Sequence, residues 1–161
     1  MKKDSLFDKY LLAKPNIRMV IEWPILIAIG IIGTIFSLQT IPFSPISNIL
    51  GVVFLIVGFS IHRSSHRTHK QAHKQSEKIQ KLATDGIYSK IRHPGYLGLI
   101  LIYFGFMFAW GIVWISVPVV IFAVLTVLTA IREEEMLRNK FGQEYEEYTS
   151  QVPWRFIPKI F

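Results

Sequence analysis

The sequence predicts an all-α, polytopic membrane protein with about four transmembrane helices, arranged as two hairpins joined by cytoplasmic helical segments. Two uncharged runs carry this prediction: residues 23–61, which are 39 residues long, and residues 94–131, which are 38 residues long. Because a membrane-spanning helix needs about 20 apolar residues, each run is long enough for two spans and a turn. All 18 lysines and arginines lie outside the two runs.

The first hairpin is predicted to place its spans at residues 19–38 and 46–61. Arg18, Glu22 and Pro24 near the start of the first span are typical of an interfacial helix end with proline in the first turn. Prolines between the two spans indicate the turn. Histidines follow the second span at i, i+4, i+7 and i+11, on one helical stripe, so we expect that helix to continue beyond the membrane. The stripe consists of His62, His66, His69 and His73.

The second hairpin is predicted to place its spans at residues 96–109 and 112–131. Gly111, next to Trp110 and near Trp114, indicates a tight turn at the membrane interface. Pro118 predicts a kink in the last span, because proline removes a backbone donor inside a helix.

The charge distribution predicts the orientation of the chain. Basic residues concentrate before the first span, between the hairpins and after the last span, and an even number of spans puts these three segments on one side. The positive-inside rule makes that side cytoplasmic. We therefore expect a single membrane-embedded domain over residues 1–161, with cytoplasmic segments at 1–18, 62–93 and 132–161. Both termini and the active site are then cytoplasmic.

The segment 62–93 carries eight basic and two acidic residues. Membrane lipids with anionic headgroups are the expected partners, and a nucleic-acid partner is not expected because no base-stacking motif accompanies these charges. The histidine stripe admits two interpretations. Histidines at i and i+4 can share a metal ion, but a neighbouring stripe of cations opposes one, so we favour a polar helix face and expect no metal site. The absence of cysteine excludes thiolate-ligated zinc or iron–sulfur sites and cysteine nucleophiles.

The stretch from Gly86 to Gly98 holds the most specific chemistry. It combines the donors and rings of Tyr88, Arg92, His93 and Tyr96 with glycines that allow a ligand to approach the backbone. A second polar cluster, Arg132 to Glu135, follows the last span. Because carboxylates at a membrane boundary are unfavourable unless they pair or bind a cation, we expect the two clusters to converge into one site at the cytoplasmic end.

These pieces resemble a known family. Arg92–Gly98, the Glu133-Glu134 pair and Phe141–Tyr145, in that order around an uncharged hairpin, are similar to the isoprenylcysteine carboxyl methyltransferase and phospholipid methyltransferase group. The resemblance implies an enzyme that uses S-adenosylmethionine to methylate a carboxylate, hydroxyl or amine on a lipophilic or lipidated acceptor. It implies catalytic roles for Arg92, Arg132 and Glu133. It implies cofactor contacts at His73, Gln80, Lys81, Leu82, Ala83, Tyr88, His93, Pro94, Gly95, Tyr96, Glu133 and Glu134.

Two alternatives stay open at this point. Membrane sterol reductases have a similar C-terminal pattern, and a reductase would need a pocket for nicotinamide. A non-enzymatic membrane protein could instead use the histidine stripe to bind metal.

Overall fold

A computed structural model describes residues 10–11, 15–68 and 80–160, without the side chains of residues 15–17. Within these ranges the regular elements are five α-helices and two short 3-10 turns. The helices are α1 (Pro15–Ile35), α2 (Ile46–Thr68), α3 (Pro94–Trp110), α4 (Ser116–Phe141) and α5 (Gln143–Gln151). The prediction of an all-α protein is confirmed for the described part of the chain.

Three of these helices have the length and composition to cross a membrane, namely α1 from Arg18, α2, and α4 with the 3-10 turn before it. α3 is apolar but shorter, with 17 residues. The prediction of a helical, multi-pass membrane protein is therefore confirmed in outline, whereas the arrangement as two membrane-spanning hairpins with four spans stays a prediction.

The helix ends differ from the predicted spans in ways that have a physical cause. α1 begins at Pro15 and ends at Ile35, so Pro24 lies inside the helix rather than in its first turn. Arg18 and Glu22 are 2% and 0% exposed, so these charged side chains lie inside the bundle, although the apolar stretch of α1 begins at Arg18 as predicted. They are stable inside the bundle because polar side chains of neighbouring helices form hydrogen bonds with them.

The predicted kink at Pro118 is also wrong. A 3-10 turn over Val113–Ile115 precedes α4, and Pro118 is the third residue of an otherwise continuous helix. In the first turn of a helix the backbone N–H has no intrahelical acceptor, so proline is tolerated there without bending the axis. The predicted turn at Gly111 is confirmed, because Gly111 ends α3 with a left-handed φ of 72°.

The helical continuation of the second span is confirmed as far as Thr68, where the described part of α2 ends. His62 and His66 lie on this extension. His69 and His73 fall outside the described residues.

α2 and α3 pack against each other along their length through glycines. A Cβ atom on Gly51 would lie 2.0 Å from the backbone nitrogen of Ala109, and one on Gly58 would lie 2.8 Å from the carbonyl oxygen of Gly98. The absence of side chains at these points allows backbone-to-backbone approach, as in many membrane helix pairs. α3 thereby becomes the inner helix of the bundle, with Leu99, Ile102 and Tyr103 fully buried.

The two hairpin turns meet at one end of the bundle, which we call the turn end. Ile41 N–H donates to Gly111 C=O at 2.7 Å, and Val113 N–H donates to Gln39 C=O at 2.9 Å. Asn48 also donates to the carbonyl of Ala109. At the opposite end, which we call the polar end, α2 and α4 finish and α3 begins, and the C-terminal segment after α5 returns to the start of α3.

Candidate functional site

The candidate site lies at the polar end, where a loop over residues 85–93 leads into α3. Gly86 takes a positive φ of 61° and begins a 3-10 turn that ends at Ser89. Tyr88 from this turn is tied on two sides: its hydroxyl lies 2.6 Å from Ser65 Oγ on α2, and its carbonyl accepts from Tyr148 Oη on α5 at 2.9 Å. The loop is thus anchored to two helices.

The Tyr88 phenol in this loop has a raised pKa. Burial, together with the nearby Glu133 carboxylate, raises the pKa of Tyr88 to about 12, although the hydrogen bond with Ser65 opposes the shift. The phenol therefore stays protonated at physiological pH and keeps a proton for a hydrogen bond.

Arg92 joins the loop to the C-terminal segment. Its Nε donates to Glu134 Oε1 at 2.9 Å, and its Nη1 donates to the carbonyls of Val152 and Pro153 at 2.9 and 2.6 Å. Its backbone N–H donates to the carbonyl of Trp154. The guanidinium side chain is 8% exposed, so most of its donors are committed to holding the loop against residues 152–154.

Glu134 is the centre of this contact. In addition to Arg92, its Oε1 lies 3.1 Å from His93 Nε2, and its Oε2 accepts from Arg155 Nε at 3.0 Å. The carboxylate side chain is 6% exposed. A buried carboxylate is stable only when such partners replace water. Through these contacts Glu134 holds α4, the loop and the C-terminal segment together.

Glu133 faces a different group of side chains. Its carboxylate is near enough to the Tyr96 hydroxyl to act on it electrostatically, and its Oε2 lies 3.9 Å from His93 Nδ1. The His93 ring stacks on the Tyr96 ring with centroids 5.6 Å apart. Glu133 is 15% exposed at its side chain. His93, Tyr96 and Glu133, three of the predicted site residues, therefore form one contiguous polar group that we call the Tyr96 cluster.

The other predicted site residues have separate places. Pro94 is the buried first residue of α3, and Gly95 follows it with its carbonyl 3.1 Å from His62 Nδ1. Leu82 is buried in an apolar cluster with Leu137 and tyrosines of α5. The remaining predicted residues of this strip are exposed or half-buried: Gln80, Lys81 and Ala83.

Arg132 is exposed and pairs with Glu135 one turn along α4, at the surface. The structure therefore does not bring Arg132 to the Tyr96 cluster. His73 lies outside the described residues.

A second polar network lies deeper in the bundle, and the sequence reasoning did not find it. Arg18 Nη2 pairs with Glu22 Oε1 at 3.0 Å, and Arg18 Nη1 donates to Thr129 Oγ1 at 2.7 Å. Glu22 accepts from Tyr10 Oη at 2.6 Å and from the Tyr103 hydroxyl. A signal for it was present, since Arg18 and Glu22 are spaced i, i+4 beside an apolar run.

Comparison with known proteins identifies the family. The chain matches the "Ergosterol biosynthesis ERG4/ERG24 family" over residues 10–161. It belongs to the ERG4/ERG24 family. The match includes α1, the 85–93 loop, the Tyr96 cluster and the C-terminal segment.

Curated relatives of this family member are named sterol reductases. The chain is 29% identical over 85 residues to a Delta(14)-sterol reductase of Mus musculus, a match that covers 51% of this chain and 20% of the relative. It is 33% identical over 86 residues to a Delta(14)-sterol reductase of Saccharomyces cerevisiae, covering 50% and 19%. It is 32% identical over 84 residues to the 7-dehydrocholesterol reductase of Danio rerio, covering 50% and 17%. Each match thus covers a fifth or less of the relative's length.

The family match overturns the expected resemblance to isoprenylcysteine carboxyl methyltransferases, and with it the expected methyltransferase activity and S-adenosylmethionine cofactor. The structure explains why these motifs are not specific to methyltransferases. Arg92, Glu134 and Tyr145 are engaged in packing and in tying segments together, and Gly142 ends α4 with a positive φ of 53°. Such residues specify how a loop, a helix end and a C-terminal segment fit together, and they do not specify which group the enzyme transfers.

Proposed function

We propose that this membrane protein is an NADPH-dependent reductase that reduces a carbon–carbon double bond in a sterol or a sterol-like lipid. The observation that carries the proposal is membership of the ERG4/ERG24 family over residues 10–161, a range that contains the Tyr96 cluster. The relatives named above are reductases of sterols. A reductase at a membrane surface also suits a bundle whose outer faces are apolar and whose one end is polar.

The residues at the polar end fit an anionic dinucleotide. Exposed cations lie on the loop and on the strip before it, and the Tyr88 and Tyr96 rings are half-buried. Phosphates are held by cationic side chains, and flat heterocycles stack on aromatic rings. The residues that would hold NADPH are Lys81 and Lys90 at the phosphates and Tyr88 and Tyr96 at the rings. When bound, NADPH supplies a hydride.

The protein must supply the matching proton, and the Tyr96 cluster is the group we assign to this task. Tyr96 lies in the first turn of the apolar helix α3, and its hydroxyl is near the Glu133 carboxylate. Glu133 is partly exposed and lies within 3.9 Å of His93 Nδ1, so a proton can reach it from solvent. Positioned acid–base groups of this kind contribute about 100-fold or more to a rate.

Arg92 and Glu134 act as positioning residues in this proposal, because their polar atoms are occupied by each other and by the C-terminal segment. They hold His93 and the start of α3 in place. Arg132 contributes charge at the rim and takes no part in proton transfer, in contrast to the sequence-based expectation.

The substrate is lipophilic and reaches the site from the bilayer in this proposal. Large apolar side chains are exposed on the outer faces of α1, α2 and α4, including Ile31, Val53 and Val120. Such surfaces are stable in contact with lipid chains. Both termini and the polar end face the cytoplasm, as the placement of the 18 basic residues favours, and residues 1–161 act as one domain.

The test is a turnover assay with purified protein in liposomes, a sterol carrying a conjugated diene, and NADPH deuterated at the transferable position. We expect a product that has gained one deuterium from the cofactor and one hydrogen from water. The variants Tyr96→Phe and Glu133→Gln should each lower the rate roughly 100-fold, whereas Glu144→Gln on the exposed face of α5 should retain it. If the folded protein transfers no deuterium to any diene offered, the proposal is wrong.

A further inference from the structure

Two histidines at the end of α2 lie outside the Tyr96 cluster. His62 and His66 occupy successive turns of the helix, and both are half-buried. Their Nε2 atoms are 2.9 Å apart, with ring centroids separated by 4.4 Å and ring planes at 83°. Two imidazole nitrogens thus converge on one point at the polar end of the bundle.

A backbone carbonyl fixes the protonation of His62. Its Nδ1 lies 3.1 Å from the carbonyl oxygen of Gly95. A carbonyl oxygen can only accept a hydrogen bond, so the proton of the neutral ring is on Nδ1 and the lone pair is on Nε2. A histidine that donates from one ring nitrogen to a backbone carbonyl and presents the other as a lone pair has the arrangement typical of a metal ligand.

We propose that His62 and His66 form a binding site for a divalent late transition metal, with Cu²⁺ preferred over Zn²⁺. Two histidines one helical turn apart, with their Nε2 atoms 2.9 Å apart, can ligate one metal ion together. Imidazole ligands bind Cu²⁺ more tightly than Zn²⁺ by the general affinity order of divalent metals.

The surroundings are compatible with such a site. Arg63 and Arg67 are exposed and lie one residue further along the helix, about 100° around its axis, so they are directed away from the histidine pair. No group of three or more His, Cys, Asp or Glu side chains that could hold a metal occurs among the described residues, and the proposal is confined to the two histidines. On binding, the metal displaces the Nε2 proton through which His66 donates to His62, and that proton moves to Nδ1 of His66, so that both rings stay neutral.

The test is titration of the detergent-purified full chain with Cu²⁺, followed by electron paramagnetic resonance. The protein is purified without a histidine tag. We expect one Cu²⁺ per chain with a tetragonal spectrum and coupling to imidazole nitrogen. His66→Gln should weaken binding at least roughly tenfold, since even the loss of an outer partner typically has that effect at metal sites. His62→Gln should do the same, and the double variant His69→Gln/His73→Gln serves as the matched control.

Three results would overturn the proposal: no binding to the parent protein, binding unchanged in His66→Gln, or a loss in the His69→Gln/His73→Gln control as large as that in His66→Gln. Helical content measured by circular dichroism confirms that each variant is folded. The site does not depend on the proposed reductase activity, so turnover and Cu²⁺ binding can fail independently.

Discussion

At the scale of single residues, the described structure is organised by two buried carboxylates. Glu134 contacts Arg92, His93 and Arg155, which come from two segments on either side of it in the sequence. Both segments are far from Glu134 along the chain, the nearer by 21 residues. The sequence showed these residue types but not their pairing, because nothing in local periodicity links positions so far apart. Residues expected to contact a cofactor therefore proved to contact each other.

The variant Glu134→Gln tests whether the contacts of Glu134 stabilise the fold. The variant removes the carboxylate that pairs with Arg92 and Arg155, and breaking a buried ion pair from one side typically costs about 3 kcal/mol or more. We expect a clearly lower thermal denaturation midpoint in detergent. The control is Glu135→Gln, the next residue, whose side chain is 57% exposed and whose surface pair contributes less than about 1 kcal/mol. Equal midpoints for the two variants would contradict the assigned role.

The second buried carboxylate, Glu22, connects α1 to the inner helix. Its two oxygens accept from Tyr10, Arg18 and Tyr103, so its hydrogen-bonding capacity is used within the bundle. The sequence pattern does not reveal these contacts, because the threonine and tyrosine partners of Arg18 and Glu22 are uncharged and lie within an apolar run.

A double-variant comparison tests this network. Glu22→Gln leaves the Arg18 charge uncompensated in an apolar bundle and should destabilise the protein by about 3–5 kcal/mol. Replacing both residues with methionine removes the charges together and should cost less than the single change, because no unpaired ion remains. The measurement is the denaturation midpoint by circular dichroism. A double variant less stable than Glu22→Gln would show that the charges themselves stabilise the fold.

At the scale of elements, the sequence predicted the helices from gaps in the charge pattern, and the helix interiors agree with it. The ends were less accurate, because they depend on contacts rather than on composition. α4 runs to Phe141, ten residues beyond the predicted span, since Glu134 and Leu137 are buried against other segments. The close approach of α2 to α3 was not predicted, because glycines appear alike in a sequence whether they face lipid or another helix.

Gly51→Ala tests the contact between α2 and α3. The added Cβ would lie 2.0 Å from Ala109 N, so one helix must move, and overpacking of this kind typically costs about 1–3 kcal/mol. We expect a lower denaturation midpoint than that of the parent. Ala28→Val adds a larger group on the exposed face of α1 and should leave the midpoint unchanged. If Gly51→Ala is as stable as Ala28→Val, the packing of these helices is different.

At the scale of the whole molecule, the charge distribution predicted that the three polar segments lie on one side, opposite the two uncharged hairpin turns. The structure brings residues 39–41 next to residues 111–113, as two hairpins side by side require. The side of the membrane on which each end lies is a proposal that rests on the basic residues.

Because the chain has no cysteine, single cysteines can report the orientation without background labelling. Ser44→Cys lies at the turn end and Ser150→Cys on α5 near the polar end, and both positions are exposed. We expect a membrane-impermeant maleimide to label Ser44→Cys in intact cells and Ser150→Cys only after permeabilisation. The reverse pattern, or equal labelling of both positions in intact cells, would contradict the proposed topology.

The match over residues 10–161 identifies the family, whereas the short sequence motifs alone left two families possible. The pattern of Arg92–Gly98, paired glutamates and Phe141–Tyr145 led to a methyltransferase, although sterol reductases were the stated alternative with a similar C-terminal pattern. Residues that shape the polar end are compatible with methyl transfer and with hydride transfer. The bound cofactor therefore determines which group is transferred.

Cofactor binding is therefore the most direct measurement. Purified protein in detergent is titrated with NADPH and, in parallel, with S-adenosylhomocysteine, and binding is followed by calorimetry and by quenching of tryptophan fluorescence. We predict saturable binding of NADPH, weakened in Lys90→Gln and unchanged in Glu144→Gln, and no binding of S-adenosylhomocysteine. Folded protein that binds S-adenosylhomocysteine and not NADPH would contradict the reductase proposal.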